Sequence, residues 1–302
     1  MHRFKLAIIA FILLFTVNSF AWVKGIYLTQ YTAENTKTLT YLIQQAKSVG
    51  INTFVIDYSR PSKRYTQNIQ LVKNAGISYV ARIVMYPEGG LHEQIISQDY
   101  LNKRLTTIKQ AVALGAKEIQ LDYIRYKATQ VPSSENAKNI LKVIEAVDRT
   151  LEGSGVKLQM DIFGVAADGE SKAIGQNPSL FGKVVDAICP MVYPSHYEPF
   201  RVHAVTPYQT VLRSLNALRE NLRNSPNVKI YAYIELFNYR FPMSHATKIE
   251  YIMAQLRAVR DSQADGYYVW SANNKYNILF SILREGRPIP LAQVQWKKFY
   301  FI

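Results

Sequence analysis

From residue 23 onward, short runs of β-branched and aromatic residues alternate with longer stretches whose apolar positions recur every three or four residues. The short runs fall at 23–29, 53–58, 79–85, 118–124, 157–163, 187–193, 229–236 and 266–270. Most are nearly continuous apolar segments, the pattern of parallel strands covered on both faces. Helical periodicity fills the gaps at 35–49, 100–114, 135–151, 208–222 and 247–260. The first of these carries Leu39, Leu42, Ile43 and Ala46 on one face; the second carries Leu101, Leu105, Ile108, Val112 and Leu114. Three junctions repeat a helix–glycine–strand motif: Ser48-Val49-Gly50-Ile51-Asn52, Lys73-Asn74-Ala75-Gly76-Ile77 and Ala113-Leu114-Gly115-Ala116-Lys117. Repeated βα units joined by right-handed crossovers build a parallel sheet. Eight such units in about 280 residues predict an α/β chain of one domain, a (β/α)8 TIM barrel. The alternative is an open doubly wound sheet, but no Gly-x-Gly-x-x-Gly follows the first strand.

The ends read differently. His2, Arg3 and Lys5 precede an apolar stretch too short to span a bilayer, and Ser19-Phe20-Ala21 supplies small residues at a cleavage site. Residues 1–21 are therefore expected to be a signal peptide, residues 22–286 the barrel and residues 287–302 a tail. Export to the periplasm or the medium changes the meaning of the charge. The chain has 36 Lys+Arg against 22 Asp+Glu, a net +14. Removal of Arg3 and Lys5 leaves 34 basic residues against the same 22, so a net +12 persists. In an exported protein this argues against nucleic acid and for peripheral contact with anionic envelope components. The one cysteine, Cys189, excludes an intrachain disulfide.

Chemistry in such a barrel gathers where the strands end at their C-terminal side. Four strand segments carry a carboxylate there: Asp57, Asp122, Asp161 and Glu235. A charge in an apolar strand is costly unless paired or wet. Crowded carboxylates drive their proton affinities apart, which gives one charged base or nucleophile and one protonated acid. Glycoside hydrolysis needs such a pair. Asp122, Asp161 and Glu235 are the catalytic candidates. Asp57, Arg125, Tyr126, Tyr193, His196 and Trp270 are the substrate-binding candidates, the aromatic rings offering flat faces to sugars. Each acid also has a structural reading. Asp57 can pair with Arg60, Asp122 with Arg125 and Glu235 with Arg240, and Asp161 can cap the segment after it. No zinc motif, nucleophile elbow or phosphate loop is present, so no metal and no cofactor is expected.

The segments Ile119-Gln120-Leu121-Asp122-Tyr123-Ile124-Arg125-Tyr126, Met160-Asp161-Ile162-Phe163-Gly164 and Pro190-Met191-Val192-Tyr193-Pro194-Ser195-His196-Tyr197 resemble a bacterial family of glycoside hydrolases with a (β/α)8 barrel, long catalogued as a domain of unknown function. Gly25-Ile26-Tyr27-Leu28-Thr29 and Tyr268-Val269-Trp270-Ser271-Ala272-Asn273-Asn274-Lys275-Tyr276 look like its first and last strands. The resemblance implies that Asp122 and Asp161 occupy the family's acidic positions, and Tyr193, Ser195 and His196 its sixth loop. Two departures stand out. Glu235-Leu236-Phe237 replaces a Gln-Asp-Phe that members often carry, and Lys127 replaces a proline. The expected function is an exported, monomeric glycoside hydrolase acting on a polysaccharide or oligosaccharide. In that reading Asp122, ordered by Arg125, is the nucleophile or charge stabiliser, and Asp161 or Glu235 is the acid. The alternative is a non-catalytic carbohydrate-binding or scaffold protein on a degenerate barrel.

Overall fold

A computed structural model describes residues 22–285; the expected signal peptide and the tail lie outside the described residues. The strands are β1 Val23–Leu28, β2 Thr53–Asp57, β3 Ser78–Val84, β4 Glu118–Asp122, β5 Lys157–Phe163, β6 Ala187–Met191, β7 Lys229–Glu235 and β8 Gly266–Trp270. They pair in sequence order, and β1 pairs with β8, so the parallel sheet closes into an eight-stranded barrel. The expected (β/α)8 architecture is present. The five helices read from periodicity are observed as Thr36–Ser48, Gln98–Ala113, Ser134–Leu151, Pro207–Asn221 and His245–Asp261.

Three differences have physical causes. The helix Lys63–Asn74 escapes a periodicity reading because it is mostly polar, burying only Tyr65, Asn68, Ile69 and Val72. Strand β4 stops at Asp122 rather than running on to 124, because Tyr123 adopts φ 51° in the left-handed region and turns the chain. Between β5 and β6 no long helix forms. Two single turns, Gly164–Ala167 and Pro178–Phe181, take its place.

Alternation along each strand separates two cores. One set of strand side chains, among them Ile26, Leu28, Phe54, Ile56, Ile119 and Leu121, packs outward with the helices in the main apolar cluster. The other set points inward. There Tyr27, Val55, Val80, Cys189, Tyr193, Tyr233 and Tyr268 form a second cluster inside the barrel. The interior is more polar than continuous apolar strands suggest. Gln120 Nε2 donates to Gln159 Oε1 (3.1 Å), Tyr233 Oη donates to Gln120 Oε1 (2.8 Å), and Gln159 Nε2 donates to Tyr268 Oη (3.0 Å) and to Glu118. These partners satisfy amides that are fully buried, which removes the penalty of burying them. Tyr268 fits because Gly25 faces it across the β1–β8 pair. A Cβ on Gly25 would come within 2.5 Å of that ring. The result is a hydrogen-bonded plug on which the mouth rests.

Candidate active site

The register of the sheet sets the chemistry at the mouth. Pairing of β2 with β3 aligns Asp57 with Arg82, and pairing of β3 with β4 aligns Val84 with Asp122. Arg82 thus lies between two acidic strands. Its Nη1 donates to Asp57 Oδ1 and its Nη2 to Asp122 Oδ2. Its Nε donates to the same Asp122 oxygen at 3.0 Å and sits 3.9 Å from Asp161 Oδ2. Three carboxylates therefore surround one buried guanidinium. Burial works to lower the proton affinity of Arg82, and Asp122 and Asp57 overcome it, leaving the guanidinium well above its ordinary value.

The three acids are not equivalent. Asp57 is the most open, with a quarter of its side chain exposed, and its Oδ2 accepts from Tyr27 Oη at 2.5 Å. Asp122 is 4% exposed; Arg82 holds one oxygen and the Tyr123 backbone N–H donates to the other at 2.5 Å. Asp161 is 2% exposed, and its Oδ1 is buried with no hydrogen-bond partner. Burial first, then the charge of Asp122, push the Asp161 carboxyl well above the usual range; the Arg82 charge opposes them. One guanidinium cannot balance three negative charges, and the surplus is relieved where desolvation is greatest. The arrangement thus sets a salt-bridged carboxylate beside an acid of raised proton affinity. Gln176, itself buried, fixes the end of β5 by accepting from the Phe163 N–H (2.9 Å) and donating to the Asp161 carbonyl (3.3 Å).

Glu235 ends β7 and is fully buried. Its Oε1 accepts from the Ser195 N–H (2.9 Å) and Tyr251 Oη (2.6 Å), and its Oε2 accepts from Ser195 Oγ (2.8 Å). Gln255 clamps its backbone from both sides. Burial raises its carboxyl to about 7, against the lowering effect of the Tyr251 and Ser195 bonds. Its oxygens are spent on the turn Pro194–His196, which carries the sixth loop.

The sequence-adjacent cations do not form the pairs expected of them. Asp57 and Asp122 both take Arg82. Arg125 Nη1 donates instead to the Tyr126 carbonyl (2.9 Å), and its guanidinium lies over Tyr123 and Phe163 at 5.5 and 4.8 Å. Arg240 Nε donates to the Ser195 carbonyl (3.1 Å), so it braces the same turn as Glu235 without pairing with it. Asp161 makes no side-chain cap. Its partner in space is again Arg82.

Aromatic rings frame the mouth. Trp270 stacks on Tyr27 with centroids 4.0 Å apart, and Arg82 lies 5.2 and 5.5 Å from the two ring centres. Tyr193 lies inside, within electrostatic reach of Asp161, Asp122 and Glu235. The exposed His196 meets Tyr193 edge-on at 5.3 Å and Tyr239 at 4.9 Å. Tyr126 is elsewhere. Its ring is buried outside the mouth, with its hydroxyl bonded to His92 Nδ1 and Asn139 Nδ2, each at 3.1 Å. Arg82, Tyr27, Gln176 and Tyr239 were not among the sequence candidates. The rule that selected the acids, a charge inside an apolar strand, also selects Arg82 in Tyr79-Val80-Ala81-Arg82-Ile83. Asn274 and Tyr276, in the closing motif, lock β8 to β1. Asn274 Oδ1 accepts from the Thr29 N–H (2.9 Å), and Tyr276 Oη donates to the Tyr27 carbonyl. Among the described residues no group of three or more His, Cys, Asp or Glu side chains is arranged to hold a metal ion.

Fold and mouth together define a closed (β/α)8 barrel with a carboxylate cluster at its C-terminal face, the class of scaffold that hosts glycoside hydrolases. The chain belongs to the family described as "Putative glycosyl hydrolase domain", which matches residues 93–276. No curated protein matches the sequence. Solved structures share the fold at low identity. The PgaB (BpsB) glycoside hydrolase domain from Bordetella bronchiseptica is 10% identical with a TM-score of 0.64, over 90% of this chain and 99% of that one. A class V chitinase from Pseudomonas fluorescens is 13% identical with a TM-score of 0.65, over 88% and 99%. An endo-1,4-β-D-mannanase from Thermotoga petrophila is 10% identical with a TM-score of 0.65, over 87% and 98%.

Proposed function

We propose that this protein is an exported enzyme that hydrolyses glycosidic bonds of a polysaccharide with Asp161 as proton donor and Asp122 as the opposing carboxylate. The observation that carries this reading is the excess of acid around Arg82, three carboxylates to one guanidinium. Asp161 supplies a proton to the departing glycosidic oxygen, and its raised proton affinity keeps that proton available near neutral pH. Asp122, fixed by Arg82 and the Tyr123 N–H, presents a rigid carboxylate to the positive charge that develops at the sugar ring, as nucleophile or stabiliser. Asp57 holds Arg82 and Tyr27 in place at the open side. Trp270 and Tyr27 offer apolar faces to a sugar ring. Glu235 is a positioning residue for the loop carrying Tyr193 and His196.

The structural neighbours include a chitinase and a mannanase, so chitin and β-1,4-mannan open the substrate panel. Reducing ends released by the wild-type protein, and lost in Asp122→Asn with an unchanged circular-dichroism spectrum, would support the proposal. Polymer binding without product in both proteins would favour the non-catalytic reading. Export is tested by the mature N-terminus of the secreted protein, expected at Trp22. The protein is expected to be a monomer. Its basic surface should hold it weakly to anionic envelopes, with retention falling as salt rises.

A further inference from the structure

A groove of about 770 Å³ opens among the segments that follow β1 and β2, lined by Tyr31, Glu34, Lys37, Ser62, Lys63 and Arg64 among others. Its residues follow β1 and β2, the two strands that carry Tyr27 and Asp57. It therefore lies on the same face of the barrel as the carboxylate cluster, whose Asp57 keeps a quarter of its side chain exposed.

Its base is fixed. Gln30 Oε1 accepts from the Ser59 and Arg60 N–H groups (3.1 and 3.2 Å), and its Nε2 donates to the Arg60 carbonyl (2.8 Å). Glu34 Oε1 accepts from Gln30 Nε2 (3.0 Å) and the Ser62 N–H (3.1 Å). The one acid in the groove is thus engaged in joining the two loops. Lys37, Lys63 and Arg64 are exposed, and none forms an ion pair among the described residues. Tyr31, also in the lining, is 80% exposed and presents an open aromatic face. The groove carries three unpaired cations against one occupied carboxylate, and its size suits a few sugar units.

The geometry points to a second polysaccharide subsite that selects an acidic glycan: sugars bearing carboxylates lie along Lys37, Lys63 and Arg64 with a ring against Tyr31, while the chain continues into the mouth past Asp57. This rests on the hydrolase reading for the substrate's course, and it assigns that substrate a charge. The cations supply the electrostatic selection, and the aromatic face supplies charge-independent contact.

The test separates this inference from catalysis by measuring binding in the Asp122→Asn protein. Two probes share one backbone: polygalacturonate and its fully methyl-esterified form. The acidic probe should bind about tenfold tighter or more at low salt, an advantage that shrinks as salt rises. Lys63→Glu/Arg64→Glu should erase that advantage. Tyr31→Ala should weaken both probes by a similar factor. The matched reversal Lys103→Glu/Lys109→Glu, on the outer helix Gln98–Ala113, should change neither. Equal binding of the two probes, or an advantage that survives the groove reversal but falls with the outer one, would overturn the subsite. If the wild type cleaves no polymer while the groove variants behave as stated, the hydrolase reading fails and the subsite stands. If it cleaves neutral polymer alone, the subsite fails and the hydrolase reading stands.

Discussion

Asp161 and Glu235 make an instructive pair. Both take inward positions, on β5 and β7 either side of β6, both are almost wholly buried, and burial raises the proton affinity of each. They differ in what their oxygens touch. Both carboxylate oxygens of Glu235 accept hydrogen bonds, from Ser195 and Tyr251. Asp161 keeps one buried oxygen without any partner and shares Arg82 with two other acids. A raised proton affinity therefore does not by itself mark a catalytic acid. In the proposed reading the unsatisfied oxygen beside a charge cluster distinguishes the acid, and the satisfied network distinguishes a structural brace.

The largest expected effect lies on the Asp161 side. Asp161→Asn keeps the shape and removes the proton donor, so turnover should fall by about 10²–10⁴. Asp122→Asn should fall at least as far. Steady-state rates on whichever glycan is cleaved, with Tm as a fold control, check both.

Next in size is the cation between the acids. Arg82→Met leaves Asp57 and Asp122 with uncompensated charge, a loss of about 3–5 kcal/mol in stability. Urea unfolding at neutral pH measures it. The deficit should shrink on acidification, since protonating the acids removes the repulsion.

Glu235→Gln should cost little. A glutamine can accept from the Ser195 N–H and Tyr251 with its oxygen and donate to Ser195 Oγ with its amide. Turnover should stay within about threefold of wild type, since only the Ser195 hydroxyl hydrogen loses its acceptor. Glu235→Leu orphans those partners and should lose roughly 1–3 kcal/mol for each buried donor left unpaired.

The smallest effect is a pH slope. The Glu235 carboxyl lies near 7 in the folded protein and at 4.5 as an ordinary glutamate. Across that window the unfolded chain releases a proton that the native state still holds. Stability contributed by this group is therefore present below the window, declines as pH rises through it and is flat above. Glu235→Gln should remove part of the decline in Tm between those values. Asp161→Asn should remove another part, because its carboxyl is shifted in the same direction.

Much of this fold was legible because the βα repeat writes itself locally. Gly50, Gly76 and Gly115 all end helices with positive φ, as the recurring junctions imply. The carboxylates at 57, 122 and 161 were legible for an energetic reason, since a charge in an apolar strand needs compensation. Their partner was not. Sequence proximity suggested Arg60 for Asp57, Arg125 for Asp122 and a cap for Asp161, whereas in a parallel barrel the nearest cation is the one in register on the next strand. Asp57 and Arg82 are 25 positions apart in sequence and side by side in the sheet. Tyr126 shows the converse. It follows Arg125 directly, yet the chain has left β4 by then and turns the ring away from the mouth. The role of Glu235 required knowing that Ser195 and Tyr251 converge on it, contacts made by two different loop and helix segments.

The most direct test is the ratio of turnover between Asp161→Asn and Glu235→Gln on one cleaved glycan at neutral pH, with both proteins shown to be folded. Glu235→Gln should exceed Asp161→Asn by about 10² or more. Equal losses, or a larger loss in Glu235→Gln, would contradict it and move the acid from β5 to β7.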